Sequence, residues 1–508
     1  MERRNRLVCF ALAGLLAAAP AARADVKLPA LIGDNMVLQR GLEVPIWGWA
    51  DSGEKVTVAI AGLKAAATAD SQGNWKLKLG PVQGEGPHVM TVAGRNSIEV
   101  RNVLVGEVWV CSGQSNMARA TAQAQDGAEE VAAAELPGIR LFQVKHAMAT
   151  EPQKDVSGQW VQCSPKTVGG FSAVGYFFGR EIHRGLKVPV GLIHSSWGGT
   201  AARVWMSQTA LESDPVLRGI VGEWRRQRQE VYPRQMAAYE KQLAGWQAAA
   251  EKARAEGKAP PPKPGAPADP DGTWFAPGSR YNAMIAPLMP CGIRGVIWYQ
   301  GESDARWAGI YERTMALLIR SWRRQWGQGD FPFLFVQLAN YMSPQAEPVQ
   351  RSGWAEVRDA QRRNLSVPHT AMAVAIDVGE AGNIHPTNKK AVGQRLALAA
   401  RARVYGEKLV YSGPLYDSMS VEGDRVRVRF KHVGGGLAAR GGALKGFAIS
   451  GKDGRWVWAE AGIDGDAVVV WSQSVKQPAA VRYAWANNPI CNLYNKEGLP
   501  ASPFRTDR

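Results

Sequence analysis

The apolar positions of the chain fall into two different patterns. In residues 25–100, short runs with β-branched and aromatic residues are separated by turns rich in Gly, Asp and Asn. Three of these runs are Val56–Ile60, Trp75–Leu79 and Val89–Val92. Short strands at this spacing are typical of antiparallel sheets that pack face to face. The pattern therefore predicts an N-terminal β-sandwich-like domain.

The middle of the chain, residues 101–406, shows the second pattern. Its strand-like runs are apolar almost throughout, which is typical of parallel strands covered on both faces. Stretches of helical periodicity, such as Ala173–Arg184 and Ile310–Gln325, lie between them. The predicted strands are Glu107–Cys111, Val188–His194, Ile293–Tyr299, Phe333–Leu338 and Ala371–Ile376. This alternation predicts an α/β domain with a five-stranded parallel sheet.

The alternating pattern returns in residues 407–508. Val426, Val428 and Phe430 alternate with arginines, so this strand has one apolar and one polar face. A further β-branched run, Val468–Trp471, follows. We therefore predict a second β-sandwich-like domain at the C-terminal end.

An insertion at about residues 209–275 interrupts the α/β pattern. Apolar side chains recur at helical spacing over residues 234–256, which predicts an amphipathic helix. A proline-rich spacer follows from Pro260 to Pro270. We interpret the apolar stripe as part of a local core, and the alternative is a lid over a functional site. The stripe consists of Met236, Tyr239, Leu243 and Trp246.

The first 24 residues have the features of a targeting segment. Three arginines precede an apolar run, Leu7–Ala19, and Ala22 and Ala24 occupy the two positions that signal peptidase recognises. This predicts a signal peptide of residues 1–24 and an exported protein, either periplasmic or secreted. No later stretch approaches the roughly 18 uninterrupted apolar residues of a membrane helix, so we expect no membrane insertion.

Charge and cysteine content narrow the possible partners. The formal net charge is +16, but the basic residues are dispersed and match no nucleic-acid-binding motif, so we expect no nucleic-acid partner. A positive excess of this kind steers anionic substrates.

Of the five cysteines, one lies in the predicted leader, and the others form no CxxC pair that would indicate a metal or redox motif. An oxidising compartment allows one or two disulfides, although Cys111 and Cys291 lie near predicted strands and are expected to be free.

The stretch Gly106–Met117 indicates chemistry, because an apolar strand there breaks into small polar residues. Ser115 follows this strand, and an Ala- and Glu-rich run predicts a helix from Met117 to Glu135. A serine at the carboxyl end of a parallel strand lies where α/β sheets bind ligands. Backbone N–H groups at the start of a helix stabilise negative charge. The stretch therefore predicts a serine nucleophile beside an oxyanion site, and a polar turn with a capping serine is the alternative.

Three further loops follow predicted strands of the same sheet. The first, Ser195–Thr200, contains two adjacent glycines that let backbone N–H groups approach a ligand closely. The second is Gln300–Asp304, and the third is Asp377–Pro386. His385 lies in the third loop, before a proline suited to the first turn of a helix, and is the candidate general base. His194 is its rival, but its place at the end of a strand favours a packing role.

Three motifs in these loops resemble those of a known family. Gly113–Met117, Trp298–Ser303 and Ile384–Pro386, followed by Lys389, are similar to motifs of the sialate O-acetylesterase family. That family belongs to the SGNH, or GDSL-like, hydrolase superfamily. The resemblance extends over nearly the whole chain after the leader. Segments in both flanking regions also resemble the family: Asp34–Arg40 and Asn492–Arg505.

The resemblance implies a flavodoxin-like, three-layer α/β domain with a five-stranded parallel sheet, and a reaction that uses neither metal nor cofactor. It implies that Ser115 is the nucleophile and His385 the general base. The oxyanion donors that it implies are the backbone N–H groups of Ser115 and Gly199 and the side chain of Gln300.

The chain departs from the superfamily pattern beside the histidine. Many members carry an aspartate two or three residues before it, where this sequence has Asn383 and Gly382. The imidazole is then oriented by Asn383, by Glu380, by Asp377 or by a backbone carbonyl. A Ser–His dyad and a triad are both open.

The resemblance implies an acetylated carbohydrate as substrate, with sialic acids as the first candidates. Sialic acids carry a carboxylate, which an arginine binds bidentately. Arg119, about one helical turn after Ser115, and Arg203, after the Gly-Gly loop, are the candidates for this contact, with surface salt bridges as their alternative role. Acetylated xylan is the competing substrate. A carbohydrate-binding protein without activity is the alternative of a different class, and the sequence indicates no particular oligomeric state.

Overall fold

A parallel sheet lies at the centre of the fold. The computed structural model describes residues 25–273, 276–348 and 351–507, so the predicted signal peptide lies outside the described residues. Six strands of the sheet form one continuous parallel series, and the short strand Val37–Gln39 also pairs in parallel with Ser97–Gly113. In spatial order the six are Thr370–Val374, Phe333–Gln337, Gly295–Tyr299, Ser97–Gly113, Val190–Ser196 and Leu136–Gln143. Nearly all of their residues within the sheet are buried, as expected for apolar runs that are covered on both faces.

Each of the five predicted strands overlaps an observed one, but the predicted count is wrong. The strand that was missed, Leu136–Gln143, pairs in parallel with Val190–Ser196, and Trp160–Cys163 pairs antiparallel with it at the sheet edge. A proline and a glycine near its start are typical of a turn, and Arg140 is typical of the surface. Arg140 is nevertheless only 3% exposed, because its guanidinium donates hydrogen bonds to a backbone carbonyl and to an asparagine.

One long strand joins the N-terminal part to the central sheet. Ser97–Gly113 pairs antiparallel with His88–Ala93 over its first half and then enters the parallel arrangement, so the whole sheet is mixed and has 11 strands. Side chains of both parts share one hydrophobic core. The boundary predicted near residue 100 therefore falls inside a continuous strand. The other N-terminal strands are Val37–Gln39, Val44–Trp49, Lys55–Ile60, Leu63–Thr68 and Asn74–Leu79.

Antiparallel sheets make up the C-terminal part. Val426, Val428 and Phe430 are buried in its core, while the arginines between them are more exposed. This arrangement follows from the alternation of apolar and charged residues along one strand. The strands are Leu415–Glu422, Arg425–Lys431, Leu437–Ala439, Phe447–Gly451, Trp456–Trp458, Glu460–Asp464, Ala467–Trp471, Pro478–Tyr483, Leu493–Asn495 and Phe504–Arg505.

The helix predicted after Ser115 is broken into short pieces. An α-helix, Ser115–Ala118, ends after four residues; a 3-10 turn spans Thr121–Gln123, and a second α-helix spans Gly127–Ala132. Asp126 has a left-handed backbone with φ of 57°, which the interior of a right-handed helix does not accommodate. The prediction of one continuous helix is therefore wrong, and the N–H groups near the serine belong to a single turn.

The other α-helices cover the central sheet or belong to the insertion. They are Ala173–Leu186, Gln208–Glu212, Arg218–Arg226, Tyr232–Ala255, Ala308–Trp326, Gly353–Arg363 and Lys389–Arg403. Within the described ranges, a search for a helix with the length and apolar character needed to cross a bilayer finds none. The cysteines of this part of the chain, Cys111, Cys163, Cys291 and Cys491, all have free thiols. Within the described residues no disulfide joins them, and Cys111 and Cys291 are buried.

The apolar stripe of the insertion is not a core. Met236, Tyr239, Leu243 and Trp246 are all partly exposed on the helix Tyr232–Ala255. The proline-rich segment folds back onto this helix, because Trp246 Nε1 donates a hydrogen bond to the Pro261 carbonyl at 2.7 Å. The interpretation of the stripe as local core is corrected: the stripe lies outside the core, and its Trp246 contacts the spacer that follows the helix.

Candidate active site

Loops that follow three adjacent strands begin at the same edge of the sheet. The strand register pairs Gly113 with Ser196 on one side and with Tyr299 on the other. Gly113 has φ of 137°, and a Cβ added there would lie 2.1 Å from the Tyr299 carbonyl oxygen, so only glycine fits this position. Ser115, two residues after Gly113, consequently lies between the Gly-Gly loop and the Gln300–Asp304 loop.

The structure brings Ser115 and His385 together. His385 Nε2 lies 2.8 Å from Ser115 Oγ, and both residues are partly exposed. Burial lowers the pKa of His385, and the positive charges of Lys389 and Arg119 lower it further. A neutral imidazole nitrogen accepts a hydrogen bond from a hydroxyl and is able to take its proton.

Asn383 shapes the histidine loop and does not touch the imidazole. Its Oδ1 accepts a hydrogen bond from the His385 backbone N–H at 2.9 Å, and its Nδ2 donates one to the His385 carbonyl at 2.9 Å. In the described part of the chain, no group is hydrogen-bonded to His385 Nδ1. Asn383 therefore orients the histidine only through its backbone.

Glu380 and Asp377 do not orient the imidazole either. Glu380 accepts hydrogen bonds from the Thr387 N–H at 2.7 Å and hydroxyl at 2.8 Å, and its second oxygen accepts one from an asparagine at 3.0 Å. Asp377 forms a bidentate ion pair with Arg395 at 2.6 and 2.8 Å. Both predictions are corrected, because these carboxylates fix the loop and its helix. Among the described residues, the hydrogen-bonded pair is therefore Ser115 and His385, a candidate Ser–His dyad.

Two backbone N–H groups at the serine lack a partner among the described residues, namely those of Ser115 and Gly199. The Gly-Gly loop packs directly on the serine, since a Cβ added to Gly198 would lie 3.2 Å from Ser115 Cβ. Gly199 has φ of 73°, in the region that favours glycine. These N–H groups are therefore candidates for binding an oxyanion.

Gln300 has no side-chain donor to spare, so the prediction that it binds the oxyanion is wrong. The residue is fully buried. Its Nε2 donates to Asp304 Oδ2 at 2.6 Å and to the Thr200 carbonyl at 3.2 Å, which uses both N–H bonds of the amide. Its Oε1 accepts a hydrogen bond from the Tyr311 hydroxyl at 2.9 Å. Gln300 therefore holds the loops on either side of it together.

Gln114 has the free donor that Gln300 lacks. Its Oε1 accepts hydrogen bonds from the Ser303 N–H at 3.2 Å and the Gly301 N–H at 3.5 Å, and these contacts distinguish the oxygen from the nitrogen of the amide. The residue is 2% exposed, yet no described residue accepts a hydrogen bond from its Nε2. Gln114 was not predicted from the sequence, although it precedes Ser115 in the same motif.

The two predicted carboxylate-binding arginines have different surroundings. Arg119 forms no ion pair within the described residues, and its Nε is buried without a hydrogen bond. Its charge acts on His385, which places it beside the dyad. Arg203 is 6% exposed, lies 3.7 Å from Asp304 and stacks over Trp307 at 5.3 Å. The prediction for Arg203 is corrected, because its charge is already matched inside the protein.

A buried polar cluster adjoins the dyad, and its members are Asn116, Glu302 and Lys389. Asn116 Nδ2 donates to Glu302 Oε1 at 2.5 Å and to the Ile384 carbonyl at 3.0 Å, while its Oδ1 accepts from Lys389 Nζ. The cluster thus connects the serine loop to the other two loops. Within the described residues, no group of His, Cys, Asp or Glu side chains is arranged to hold a metal ion.

Comparison with known proteins identifies the family. The family model described as "Carbohydrate esterase, sialic acid-specific acetylesterase" matches residues 105–250 and 271–402. The rat protein "Sialate O-acetylesterase" is 30% identical over 94% of this chain and 94% of its own length. The human protein of the same name is 29% identical over 94% of this chain and 92% of its own.

A solved structure agrees with these relatives. The crystal structure of a carbohydrate acetylesterase from Xanthomonas citri has 39% sequence identity and a TM-score of 0.81, and the match covers 95% of this chain and 100% of that one. The candidate Ser–His dyad lies in the segments that the family model matches. The chain therefore belongs to the sialic acid-specific acetylesterase family of carbohydrate esterases.

Proposed function

We propose that the protein is a serine esterase that removes O-acetyl groups from carbohydrates, with sialic acids as the preferred substrates. The observation that carries this proposal is the 2.8 Å contact between Ser115 Oγ and His385 Nε2 beside unpaired backbone N–H groups. Membership of the family, whose relatives carry the name "Sialate O-acetylesterase", supports the acetyl group and the sugar.

In the first half of the reaction, Ser115 Oγ attacks the acetyl carbonyl carbon while His385 takes the hydroxyl proton. The carbonyl oxygen becomes the negatively charged oxygen of a tetrahedral intermediate. The ester C–O bond then breaks, the acetyl group stays on Ser115, and His385 gives its proton to the departing sugar oxygen.

In the second half, His385 takes a proton from a water molecule as the water oxygen attacks the acetyl-enzyme. The new tetrahedral intermediate collapses, acetate leaves, and Ser115 recovers its proton from the imidazolium. The exposed side of the imidazole is open to this water, because both members of the dyad are partly exposed.

Three donors are assigned to the oxyanion in this mechanism. They are the backbone N–H groups of Ser115 and Gly199 and the side-chain Nε2 of Gln114. Each lacks an internal hydrogen-bond partner among the described residues, and Gln114 is held by backbone N–H groups of the neighbouring loop. Donors held in place before the reaction stabilise the transition state without reorganisation.

Arg119 is assigned to the carboxylate of a sialic acid. A buried guanidinium nitrogen without a partner is unfavourable unless a ligand satisfies it, and Arg119 Nε is such an atom. An Arg–carboxylate pair satisfies it with directional, charge-assisted hydrogen bonds. Acetylated xylan, the competing substrate, has no carboxylate at the acetylated sugar and would leave Arg119 unused.

We also propose that the protein is exported after removal of residues 1–24, and that residues 101–406 form an SGNH-type three-layer domain between two β-domains. The basic, apolar and small-residue pattern of the leader supports export. Export is tested by N-terminal sequencing of the mature protein from an extracytoplasmic fraction. A mature chain that begins at Asp25 supports the proposal, and an intact leader on cytoplasmic protein contradicts it.

The activity is tested by acetate release from 9-O-acetylated sialic acid and from acetylated xylan. We expect the wild type to prefer the sialic acid and Ser115→Ala to lose nearly all acetate release, while Ser420→Ala, at an exposed position of a C-terminal strand, keeps it. Full activity of Ser115→Ala would exclude Ser115 as the nucleophile. No acetate release by the wild type from either substrate would favour a carbohydrate-binding role.

The assignment of Arg119 has its own test. Arg119→Gln should raise KM for 9-O-acetylated sialic acid at least tenfold, since one charged hydrogen bond contributes about 1.5–3 kcal/mol, and should leave KM for acetylated xylan nearly unchanged. Arg218→Gln, at an exposed position of the insertion, is the control. An equal effect of Arg119→Gln on both substrates would mean that the arginine does not bind the carboxylate.

A further inference from the structure

Lys389 is a buried lysine that the proposed mechanism does not use. It is 0% exposed, and its ammonium forms no ion pair within the described residues. Its Nζ donates a hydrogen bond to Asn116 Oδ1 and lies 5.4 Å from the centre of the Tyr299 ring. Burying an ammonium without an ion pair is unfavourable, so this position requires a compensating role.

The Lys389 ammonium donates a hydrogen bond to the one side chain, Asn116, that connects the two loops of the dyad. Asn116, which accepts from Lys389, is the neighbour of Ser115 in the chain. The same amide donates to the Ile384 carbonyl at 3.0 Å, and Ile384 is the neighbour of His385. Lys389, at the start of a helix, therefore holds the amide that joins the serine loop to the histidine loop.

The charge of Lys389 acts on the imidazole. Four charged or titratable groups surround the site: Arg119 and Lys389 act on His385, while Glu302 and Glu380 act on Lys389. Burial lowers the pKa of Lys389 to about 7, although Glu302 opposes this shift. The ammonium is therefore charged at acidic pH, where His385, with a pKa below its usual 6.5, takes up a proton.

Glu302 does not neutralise this charge through a direct contact. Its Oε1 accepts from Asn116 at 2.5 Å, and its Oε2 is buried without a hydrogen bond. Burial raises the pKa of this carboxyl, which favours its uncharged form. Asn116 thus separates the carboxyl from the ammonium, and the positive charge of Lys389 remains effective at the dyad.

We propose that Lys389 is a positioning residue for the dyad: its ammonium holds the Asn116 amide that joins the serine loop to the histidine loop, and it places a positive charge beside the site. The proposal rests on the dyad of the proposed function but not on the identity of the sugar. It is therefore testable with 4-nitrophenyl acetate, a small ester that requires no sugar-binding contact.

The test compares the pH dependence of kcat/KM for the wild type, Lys389→Met and Lys389→Gln. Methionine removes both the charge and the hydrogen bond, whereas glutamine removes the charge and keeps an N–H donor. Loss of a positive charge raises the pKa of His385, so we expect the acidic limb of both variants to move up by about one pH unit. We expect kcat/KM on the alkaline plateau to fall at least tenfold in Lys389→Met and less in Lys389→Gln.

Lys390→Met is the matched control, because Lys390 is the next residue of the same helix and pairs with Glu130 at 2.8 Å. Its pH profile of kcat/KM should have the same acidic limb and the same alkaline plateau as the wild type. If Lys389→Met does not fold, Lys389→Gln and a ¹³C NMR titration of the His385 ring in that variant give the same measurement. The proposal would be overturned if the Lys389 variants lost thermal stability but kept the acidic limb of the wild type. An equal shift of the acidic limb in Lys390→Met would also overturn it. Activity of Ser115→Ala on the same ester would instead refute the dyad itself.

Discussion

At the scale of single residues, the site depends on which hydrogen bonds each side-chain amide already makes inside the protein. Gln114, Gln300 and Asn383 are similar in chemistry and all lie in loops at the sheet edge. Gln300 has both N–H bonds engaged, and Asn383 is bonded to the backbone of the histidine loop. Gln114 is bonded through its oxygen only. Gln114 is therefore the candidate donor to the oxyanion because its N–H group is free, and not because of its residue type.

The assignment of Gln114 predicts the effect of one isosteric change. Gln114→Glu keeps the oxygen that accepts from the Ser303 N–H but replaces the donor with a carboxylate oxygen. We expect kcat to fall by roughly 10²–10³ with little change in KM, because the donor acts on the transition state. Steady-state kinetics with an acetyl ester measure this, and Gln125→Glu at an exposed position is the control. A loss confined to thermal stability would contradict the role.

The lowered pKa of His385 predicts the pH range of activity. The imidazole accepts the serine proton only when neutral, so activity is present above its pKa and is lost as the pH falls through it. Since burial and two neighbouring cations lower this pKa from 6.5, the acidic midpoint of kcat/KM should lie below 6.5. The measurement is a pH–rate profile corrected with Ser115→Ala. A midpoint above 6.5 would show that burial and the neighbouring cations do not lower the pKa of His385.

At the scale of elements, the insertion shows how a helix and a proline-rich segment stabilise each other. The helix Tyr232–Ala255 has one apolar stripe that no core covers. The start of the proline-rich segment folds against Trp246 of this helix, with Lys263 Nζ 5.7 Å from the ring centre. Its other end accepts a hydrogen bond at the Pro270 carbonyl from Trp224 of the helix Arg218–Arg226. Proline lowers the entropy lost on ordering such a segment, which makes a small contact area sufficient.

This contact predicts the effect of removing one aromatic side chain. Trp246→Ala should release the segment from the helix, because the mutation removes both the ring and the hydrogen bond to the Pro261 carbonyl. We expect faster proteolytic cleavage within residues 257–270 and unchanged esterase activity, measured by limited digestion and by kinetics. Trp458→Ala, at an exposed tryptophan of the C-terminal part, should leave cleavage in this segment unchanged. Loss of activity in Trp246→Ala would favour the lid interpretation.

At the scale of the whole molecule, one carboxylate connects the N-terminal part to the central sheet. The Glu107 side chain is fully buried in the long strand and forms ion pairs with Arg40 and Arg294. Burial alone would raise the pKa of Glu107, but the two guanidinium groups outweigh it and hold the pKa below its usual value. The charge therefore stabilises the junction as long as it stays ionised.

Removing this charge should destabilise the whole fold. Glu107→Gln leaves two guanidinium groups without a carboxylate, so we expect a loss of about 3 kcal/mol in the free energy of unfolding at neutral pH. The carboxylate contributes stability above its unfolded pKa of 4.5 and loses it as the pH falls through the lowered folded pKa, so the difference from wild type should shrink in acid. Chemical denaturation at several pH values measures this. Glu43→Gln, in an exposed ion pair with Lys78, should have little effect, and an equal loss in both variants would contradict the role of Glu107.

The sequence by itself determined which parts of the chain are β and which is α/β, and it located five strands of the central sheet. It also indicated Ser115 and His385 as the candidate catalytic pair. These features depend on periodicity and on short motifs, which are local in the chain. Local pattern did not indicate the strand with the buried Arg140, since its guanidinium is hydrogen-bonded to Asn35 and Asn102, which are distant in sequence.

Only the tertiary structure decided the surroundings of the dyad. The free N–H of Gln114 and the burial of Lys389 depend on contacts with residues far apart in sequence. The partners of Glu380 lie within its own loop, but the folded conformation of that loop selects them. Ser115 and His385 are themselves separated by 270 positions. Hydrogen bonds and burial are properties of neighbours in space, so the sequence contains the chemical groups of this site but only the fold assigns their partners.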